Sequence, residues 1–305
     1  MVPIHHIIRI TRVIECIEEN IGHHGSHEYL AGIAMFSKFH FSRIFKSVVG
    51  ETFYEYVGRI KMEKAYRMIH FNPSISIKDL ARQHGYKSPS SFSAAFHNRY
   101  EISPIEAKAT KEKPIKRFID TTFKPNIRFE SMRTLPHQFV LYKRIYTGYQ
   151  SVTIQSAFRE LYEFAMQNNF VVKEFIGILN DDPDFTGFDK CRYDVCLAIN
   201  KPEKLPRDFQ CNVKSLKNAE YACFLFEGKI EEIQPAWDYI FQHWIDTSAY
   251  VPLVSPRIEI FLLSEESELA SLKVRFYLPV KLKKMKQKRA RGSRSRETKY
   301  KDKGA

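Results

Sequence analysis

No apolar run in the 305-residue sequence approaches the ~18 residues of a membrane span. The opening stretch, MVPIHHIIRITRVIECIEEN, is interrupted by acids every few residues, so it reads as an amphipathic helix and not as a signal peptide. Cysteine is sparse: Cys16, Cys191, Cys196, Cys211 and Cys223 are odd in number and include no C-x-x-C pair. That pattern favours buried free thiols in a reducing, cytoplasmic setting over disulfides or a metal centre. Signatures of catalysis are missing as well, with no G-x-S-x-G, phosphate loop or H-E-x-x-H. His5–His6 and His23–His24 are adjacent pairs that do not share a helix face, which argues against a metal site. No cofactor, no metal and no membrane partner are expected.

What is present points to two globular parts. Hydrophobic residues make up 44% and aromatics 14%, enough at this length for two cores. The net charge of +13 is uneven. Residues 281–305 hold twelve Lys and Arg against two acids, and residues 1–113 hold sixteen against eleven. The stretch between them is close to neutral, with twenty against twenty-two. The terminal run is almost devoid of apolar residues after Met285 and reads as a disordered basic tail, either solubilising or attracted to polyanions.

The first hundred residues carry helical periodicity. Ile7, Ile10, Ile14 and Ile17 form one stripe; Gly22 and Gly25 end it. A short helix is expected near 28–34, then a turn, then a helix capped by Ser37. A long helix spans 52–70 and stops at Asn72-Pro73. The pattern then recurs: a short helix over 77–84, a turn at Gly85 and a helix from Ser88 to Tyr100 that ends before Pro104. At an offset of fifty-one, SKFHFSRIFK lies over SPSSFSAAFH, matching Ser37 with Ser88, Phe41 with Phe92 and Phe45 with Phe96. Two helix-turn-helix units joined by a long helix follow from this repeat.

After KPIKRFIDTTFKPN, a linker by its prolines and charges, the segments are strand-like. QFVLYKRIYTG is followed by a helix and then by FIGILN and YDVCLAI; AEYACFLFEG is followed by a helix and then by RIEIFLL and KVRFYLPV. A strand-helix-strand-strand unit used twice makes an α+β domain. The expected organisation is an all-α double helix-turn-helix domain over 1–112, a linker over 113–121, an α+β domain over 122–282 and the tail over 283–305.

Phe41, Ile44, Phe45 and Val48 occupy positions i, i+3, i+4 and i+7, which makes them the buried stripe of their helix. The same helix leaves Lys38, Phe39, Ser42, Arg43 and Lys46 elsewhere. Arg can pair bidentately with guanine, a phenylalanine can meet a thymine methyl, and lysines can meet phosphates. A solvated basic face is the plain alternative; the duplication favours double-stranded DNA as partner.

LAGIAMFSKFHFSRIFKSVVGETFYEYVGRIKMEKA and ISIKDLARQHGYKSPSSFSAAFHNRYEISP resemble the two halves of the AraC/XylS-type DNA-binding domain. That resemblance implies two reading helices in successive major-groove segments. By position it nominates Phe39, Ser42 and Arg43 in the first, and Pro89, Ser90 and Ser93 in the second. Two departures stand out. Ala94 occupies the place of Arg43, and small residues at 90, 91, 93 and 94 imply shape-dominated readout. Met35 stands where the family often has Gly in the turn, a site expected to require φ > 0.

Residues 122–282 resemble the GyrI-like effector-binding domain, through the repeat and through SAFRELYEFA and PRIEIFLL. The resemblance implies a cleft for a small, often cationic and lipophilic, molecule, lined by aromatics and a buried acid. Glu259, between Ile258 and Ile260, is the candidate acid; an outward-facing glutamate on an alternating strand is the alternative. Tyr142, Tyr146 and Trp244 are the candidate aromatics, with core packing as their other reading. A transcription regulator that also meets RNA polymerase is the expected function. A DNA-tethered hydrolase of small molecules and a non-specific DNA-coating protein are the rivals.

Overall fold

The computed structural model describes residues 2–110, 112–201, 211–216, 219–262 and 271–283. Of the expected basic tail, all but the first residue lies outside them. The N-terminal part contains α1 (Ile4–Glu19), α2 (His27–Ile33), α3 (Lys38–Val49), α4 (Phe53–Phe71), α5 (Ile77–Gln83), α6 (Pro89–Tyr100) and α7 (Pro104–Thr110). Helix α6 ends before Pro104 as expected, and Pro104 opens the further short helix α7, which the sequence pattern did not announce. Proline is tolerated in a first helical turn, where its missing N–H has no intrahelical partner to lose.

Local sequence sets these helix starts. Ser26, Ser37, Thr52, Ser76 and Ser88 each accept a hydrogen bond from the backbone N–H three residues on. Each such cap stabilises its helix by about 1 kcal/mol. The turns differ between the units. Met35 at φ 54° and Gly85 at φ 74° occupy equivalent left-handed positions. Both turns close with the same bond, Phe36 N–H to Ala31 C=O at 3.0 Å and Tyr86 N–H to Ala81 C=O at 2.8 Å. Those positions are fifty residues apart, whereas Ser37 and Ser88 are fifty-one apart, so the second turn holds one extra residue before its cap. The residue expected to carry strain, Met35, carries it.

Helix α4 belongs to both helical cores. Its N-terminal half packs Tyr56 and Ile60 with Phe41, Phe45 and the α1 stripe. Its C-terminal half packs Tyr66 and Ile69 with Leu80, Phe92 and Phe96. The four repeated phenylalanines are fully buried, each contributing about 1.5–3 kcal/mol by leaving water.

An irregular stretch leads to an antiparallel sheet. Its strands are β1 (Ile127–Leu135), β2 (Gln138–Ile145), β3 (Val172–Leu179), β4 (Tyr193–Ile199), β5 (Asn212–Leu216), β6 (Ala219–Gly228), β7 (Tyr250–Pro252), β8 (Arg257–Phe261) and β9 (Leu272–Leu282). Helices α8 (Ser151–Gln167) and α9 (Ile233–Tyr239) cover one face, and α9 runs on through a π turn at Ile240–Trp244. The spatial order is β1-β6-β9-β8-β3-β4-β2-β5, with β7 on β9. The repeated units are β2-α8-β3-β4 and β6-α9-β8-β9; strands β1, β5 and β7 lie outside the repeat, and the sequence pattern did not announce β5 and β7. In each unit the last strand lies between the other two. The units join along β3 and β8, where Phe175 pairs with Phe261, Gly177 with Glu259 and Leu179 with Arg257.

Alternation sorts the side chains of β8. Ile258 and Ile260 join Tyr142, Ile176 and Cys196 on the face away from the helices. Arg257, Glu259 and Phe261 take the helix face.

Candidate DNA-reading surface and effector cleft

Removal of the buried stripe from α3 leaves a face built for contact. Phe39 is 89% exposed, an unusual place for a phenylalanine, and Arg43 and Lys46 stand in solvent beside it. The Arg43 guanidinium leans on His40 Nδ1 at 3.2 Å, one turn back on the helix. Lys38 pairs with Glu28 at 2.5 Å in an exposed bridge that water competes with. Ser42 is more occupied than its position suggested. Its hydroxyl donates to the Lys38 carbonyl at 3.1 Å and lies 3.2 Å from His27 Nε2. Burial lowers the pKa of that histidine, aided by Lys38.

The equivalent face of α6 is bare. Pro89, Ser90 and Ala94 are exposed and Ser93 is half-buried. Ser88 and Ser91 spend their hydroxyls on a reciprocal cap. This face offers a smooth surface with no long donor side chain at the position of Arg43.

In the second domain Glu259 is 2% exposed. The Tyr193 hydroxyl donates to Oε2 at 2.6 Å and the Trp237 indole N–H to Oε1 at 2.7 Å. Trp237 lies flat on Phe276, with ring centroids 4.6 Å apart, and its other neighbour is the Arg257 guanidinium at 5.1 Å. Burial raises the pKa of Glu259, while both donors and Arg257 pull it down. Gly177 faces Glu259 across β3–β8, and a Cβ there would come within 1.7 Å of the Tyr193 hydroxyl. One same-face step along the strands, Phe175 and Phe261 form part of the wall of a surface cavity of about 550 Å³, together with Tyr162, Met166 and Phe170. Phe158 packs against both phenylalanines at 5.9 and 5.5 Å.

Residues 30–110 match the helix-turn-helix domain family, and residues 131–281 match the GyrI-like small molecule binding domain family. The chain is an AraC-type DNA-binding regulator with a GyrI-like domain. It is 27% identical over 113 residues to the multiple antibiotic resistance protein MarA of Escherichia coli, covering 37% of this chain and 87% of MarA. It is 25% identical over 126 residues to the DNA gyrase inhibitor of the same organism, covering 39% of this chain and 80% of that one. A crystal structure of an AraC-type transcriptional regulator from Chromobacterium violaceum is similar at 25% identity with a TM-score of 0.32, covering 35% of this chain and 94% of that one.

The aromatics expected beside Glu259 lie elsewhere in the regulator. Tyr142 is buried on the opposite face of the sheet, with Lys214 4.1 Å from its ring centre. The Tyr146 hydroxyl bonds Thr11 of α1 at 2.9 Å, in the junction between the domains. Trp244 stacks on Phe129 at 5.4 Å and on Tyr250 at 6.0 Å. Tyr193 and Trp237 take their place, Tyr193 at the start of β4 and Trp237 inside α9. Trp237 was legible as a helix-core residue, and the alternation of β8 placed a partner for it on that face. Nothing in the local pattern singled out Tyr193.

Proposed function

We propose that the regulator recognises a promoter chiefly through α3 and senses a lipophilic cation through Glu259. Arg43 and Phe39 supply guanine and thymine contacts, Lys38 and Lys46 phosphate contacts, and Pro89, Ser90 and Ser93 fit α6 to groove shape. A regulator on promoter DNA works through RNA polymerase, the protein partner this reading implies.

One observation carries the sensor half. Glu259 is buried among aromatic rings, and among the described residues it has no ion-pair partner. A carboxylate in that position is costly unless a positive charge joins it, and the surrounding rings add cation–π attraction. A ligand entering from the Phe175–Phe261 cavity would have to displace those rings to reach the acid. It would act on transcription only as far as it binds two states of the protein differently.

Titration of the full chain with tetraphenylphosphonium, read by tryptophan fluorescence and calorimetry, tests this. Saturable binding that weakens roughly tenfold or more, about 1.4 kcal/mol, in Glu259→Gln is the expected result. Equal binding by both proteins would remove Glu259 from the role. Turnover of an amphiphilic ester, lost in Glu259→Gln, would favour hydrolysis instead.

A further inference from the structure

The segment between β3 and β4, Asn180–Arg192, belongs to the effector domain but reaches the other domain's core. Phe185 is 2% exposed and packs in the helical core of the second helix-turn-helix unit. Its ring lies 5.7 Å from Tyr66, 5.5 Å from His70 and 6.2 Å from Phe71, all on α4. Tyr66 in turn stacks on Phe96 at 5.3 Å and meets Tyr100 at 4.8 Å, both on α6. The neighbouring Thr186 donates its hydroxyl to Glu63 Oε2 at 2.8 Å. The other oxygen of Glu63 accepts from Arg99 of α6 at 3.4 Å, and Arg59 holds Glu63 from one turn back at 3.0 Å. Two routes, one of packed rings and one of charge, therefore run from this loop to α6.

The other end of the loop is fastened to the residues around the buried Glu259. The Tyr149 hydroxyl donates to the Asp181 carbonyl at 2.6 Å, and Arg257 Nη2 donates to the same carbonyl at 3.0 Å. Arg257 is the guanidinium against Trp237, and the Tyr149 ring lies 6.0 Å from that of Tyr193. Trp237 and Tyr193 are the two donors on Glu259. Between the ends the loop is tight. The Asp182 carbonyl accepts from both Phe185 N–H at 2.9 Å and Thr186 N–H at 2.8 Å. The Asp181 carboxylate is gripped by Arg192, whose guanidinium continues to Glu18 and Tyr56 of the DNA-binding domain. A displacement at Asp181 has little slack to absorb it before Phe185.

We propose that Phe185 and Thr186 are positioning residues for the second DNA-reading helix, and that through them occupancy of the Glu259 cleft alters how α6 is held. A ligand that takes Glu259 away from Tyr193 and Trp237 frees Tyr149 and Arg257, the two groups holding the Asp181 carbonyl. The loop then shifts its Phe185 wedge, and α6 changes its presentation relative to α3. Because α6 has few specific donors of its own, its placement decides whether the second groove segment is engaged at all. This proposal rests on Glu259 being the effector site.

The test uses the full chain and three readouts: tetraphenylphosphonium affinity, affinity for a promoter fragment with and without the cation, and hydrogen exchange across residues 89–100. In the unaltered protein the cation should change DNA affinity about fivefold or more, a usual size for coupling between sites, and should change exchange in α6. Phe185→Ala should bind the cation as before yet lose most of both responses, while Phe185→Leu should restore part of them. If Phe185→Ala proves unstable, Thr186→Val removes only the bond to Glu63 and should reduce the response of α6 without touching cation affinity. An α6 response that persists undiminished in Phe185→Ala and Thr186→Val would overturn the proposal, as would cation binding that leaves α6 unchanged in the unaltered protein. Absence of any cation binding defeats the effector reading instead. The positioning role is then judged without ligand, and it falls if Phe185→Ala exchanges across 89–100 as the unaltered protein does.

Discussion

Gly177 faces Glu259 across the β3–β8 pair, and the Tyr193 hydroxyl occupies the space that a side chain at 177 would fill. The two strands come from different repeats, so this contact lies where the halves of the domain join. An added Cβ would lie 1.7 Å from the hydroxyl, 2.5 Å from Tyr193 Cζ and 3.0 Å from Glu259 Oε2. Tyr193 is buried and committed to Glu259, so it cannot swing away cheaply. Gly177→Ala should destabilise the protein by about 1–3 kcal/mol, as overpacking does, and should weaken cation binding. Thermal unfolding together with a tetraphenylphosphonium titration checks both effects.

The acid itself should give binding a pH signature. Burial raises the pKa of Glu259 beyond what its hydrogen bonds and Arg257 can lower it. As the pH falls through that raised value the carboxyl becomes neutral, so cation affinity should drop at a pH where a surface glutamate, near 4.3, would still be charged. The contribution to stability has the opposite sign. The folded state prefers the protonated form, so this contribution is greatest below the unfolded pKa and declines as the pH rises through the folded value. Affinity measured from neutral pH downward should fall toward acid. A flat profile, the same as that of Glu259→Gln, would contradict the assignment.

On the DNA side, Arg43→Ala should cost roughly 1–3 kcal/mol on a specific fragment and much less on random DNA. Phe39→Ala should also cost specificity, since an 89% exposed phenylalanine contributes little to the fold. Gel-shift titrations of both variants against the two DNAs separate base reading from phosphate contact. Equal losses on both DNAs would make Arg43 a phosphate ligand.

The junction between the domains offers a stability test. Arg144 forms a bidentate pair with Asp194 at 2.6 and 2.9 Å, Lys214 also reaches Asp194, and Glu18 of α1 pairs with Arg144 at 3.3 Å. Burial raises the pKa of Asp194, but Arg144 and Lys214 overcome this and hold it below the usual carboxylate range. This stabilisation is present above the unfolded pKa and is lost as the pH falls. Asp194→Asn removes the charge of the bidentate partner and leaves the buried guanidinium with Glu18 alone, which should cost up to about 3–5 kcal/mol in denaturant unfolding. The double change Arg144→Met, Asp194→Leu should cost far less, because no charge is left buried alone.

Much of this molecule was readable from residue order. The repeated phenylalanines at 41, 45, 92 and 96, the serine caps at 37 and 88 and the left-handed turn at Met35 are local features, set by helical spacing and backbone sterics. The two strand-helix-strand-strand units were readable for the same reason. Glu259 was identifiable as an acid between two isoleucines, and alternation along β8 settles that it faces opposite to them.

Its partners were not readable. Tyr193 lies sixty-six residues away in the chain and Trp237 twenty-two, and the joining of β3 to β8 brings them together. Tyr142 was misplaced because alternation fixes which residues of one strand share a face; only the register between strands relates those faces to one another. Tyr146 and Phe185 face the other domain for a reason no local pattern carries, since two surfaces become a junction only after both have folded. The sequence by itself determined the two domains, the core stripes of α3 and α6 and the acid between two isoleucines. Tertiary structure decided which side chains grip that acid and how the loop beside it enters the DNA-binding core, because local spacing is dictated by the backbone while long-range contact depends on how the elements pack.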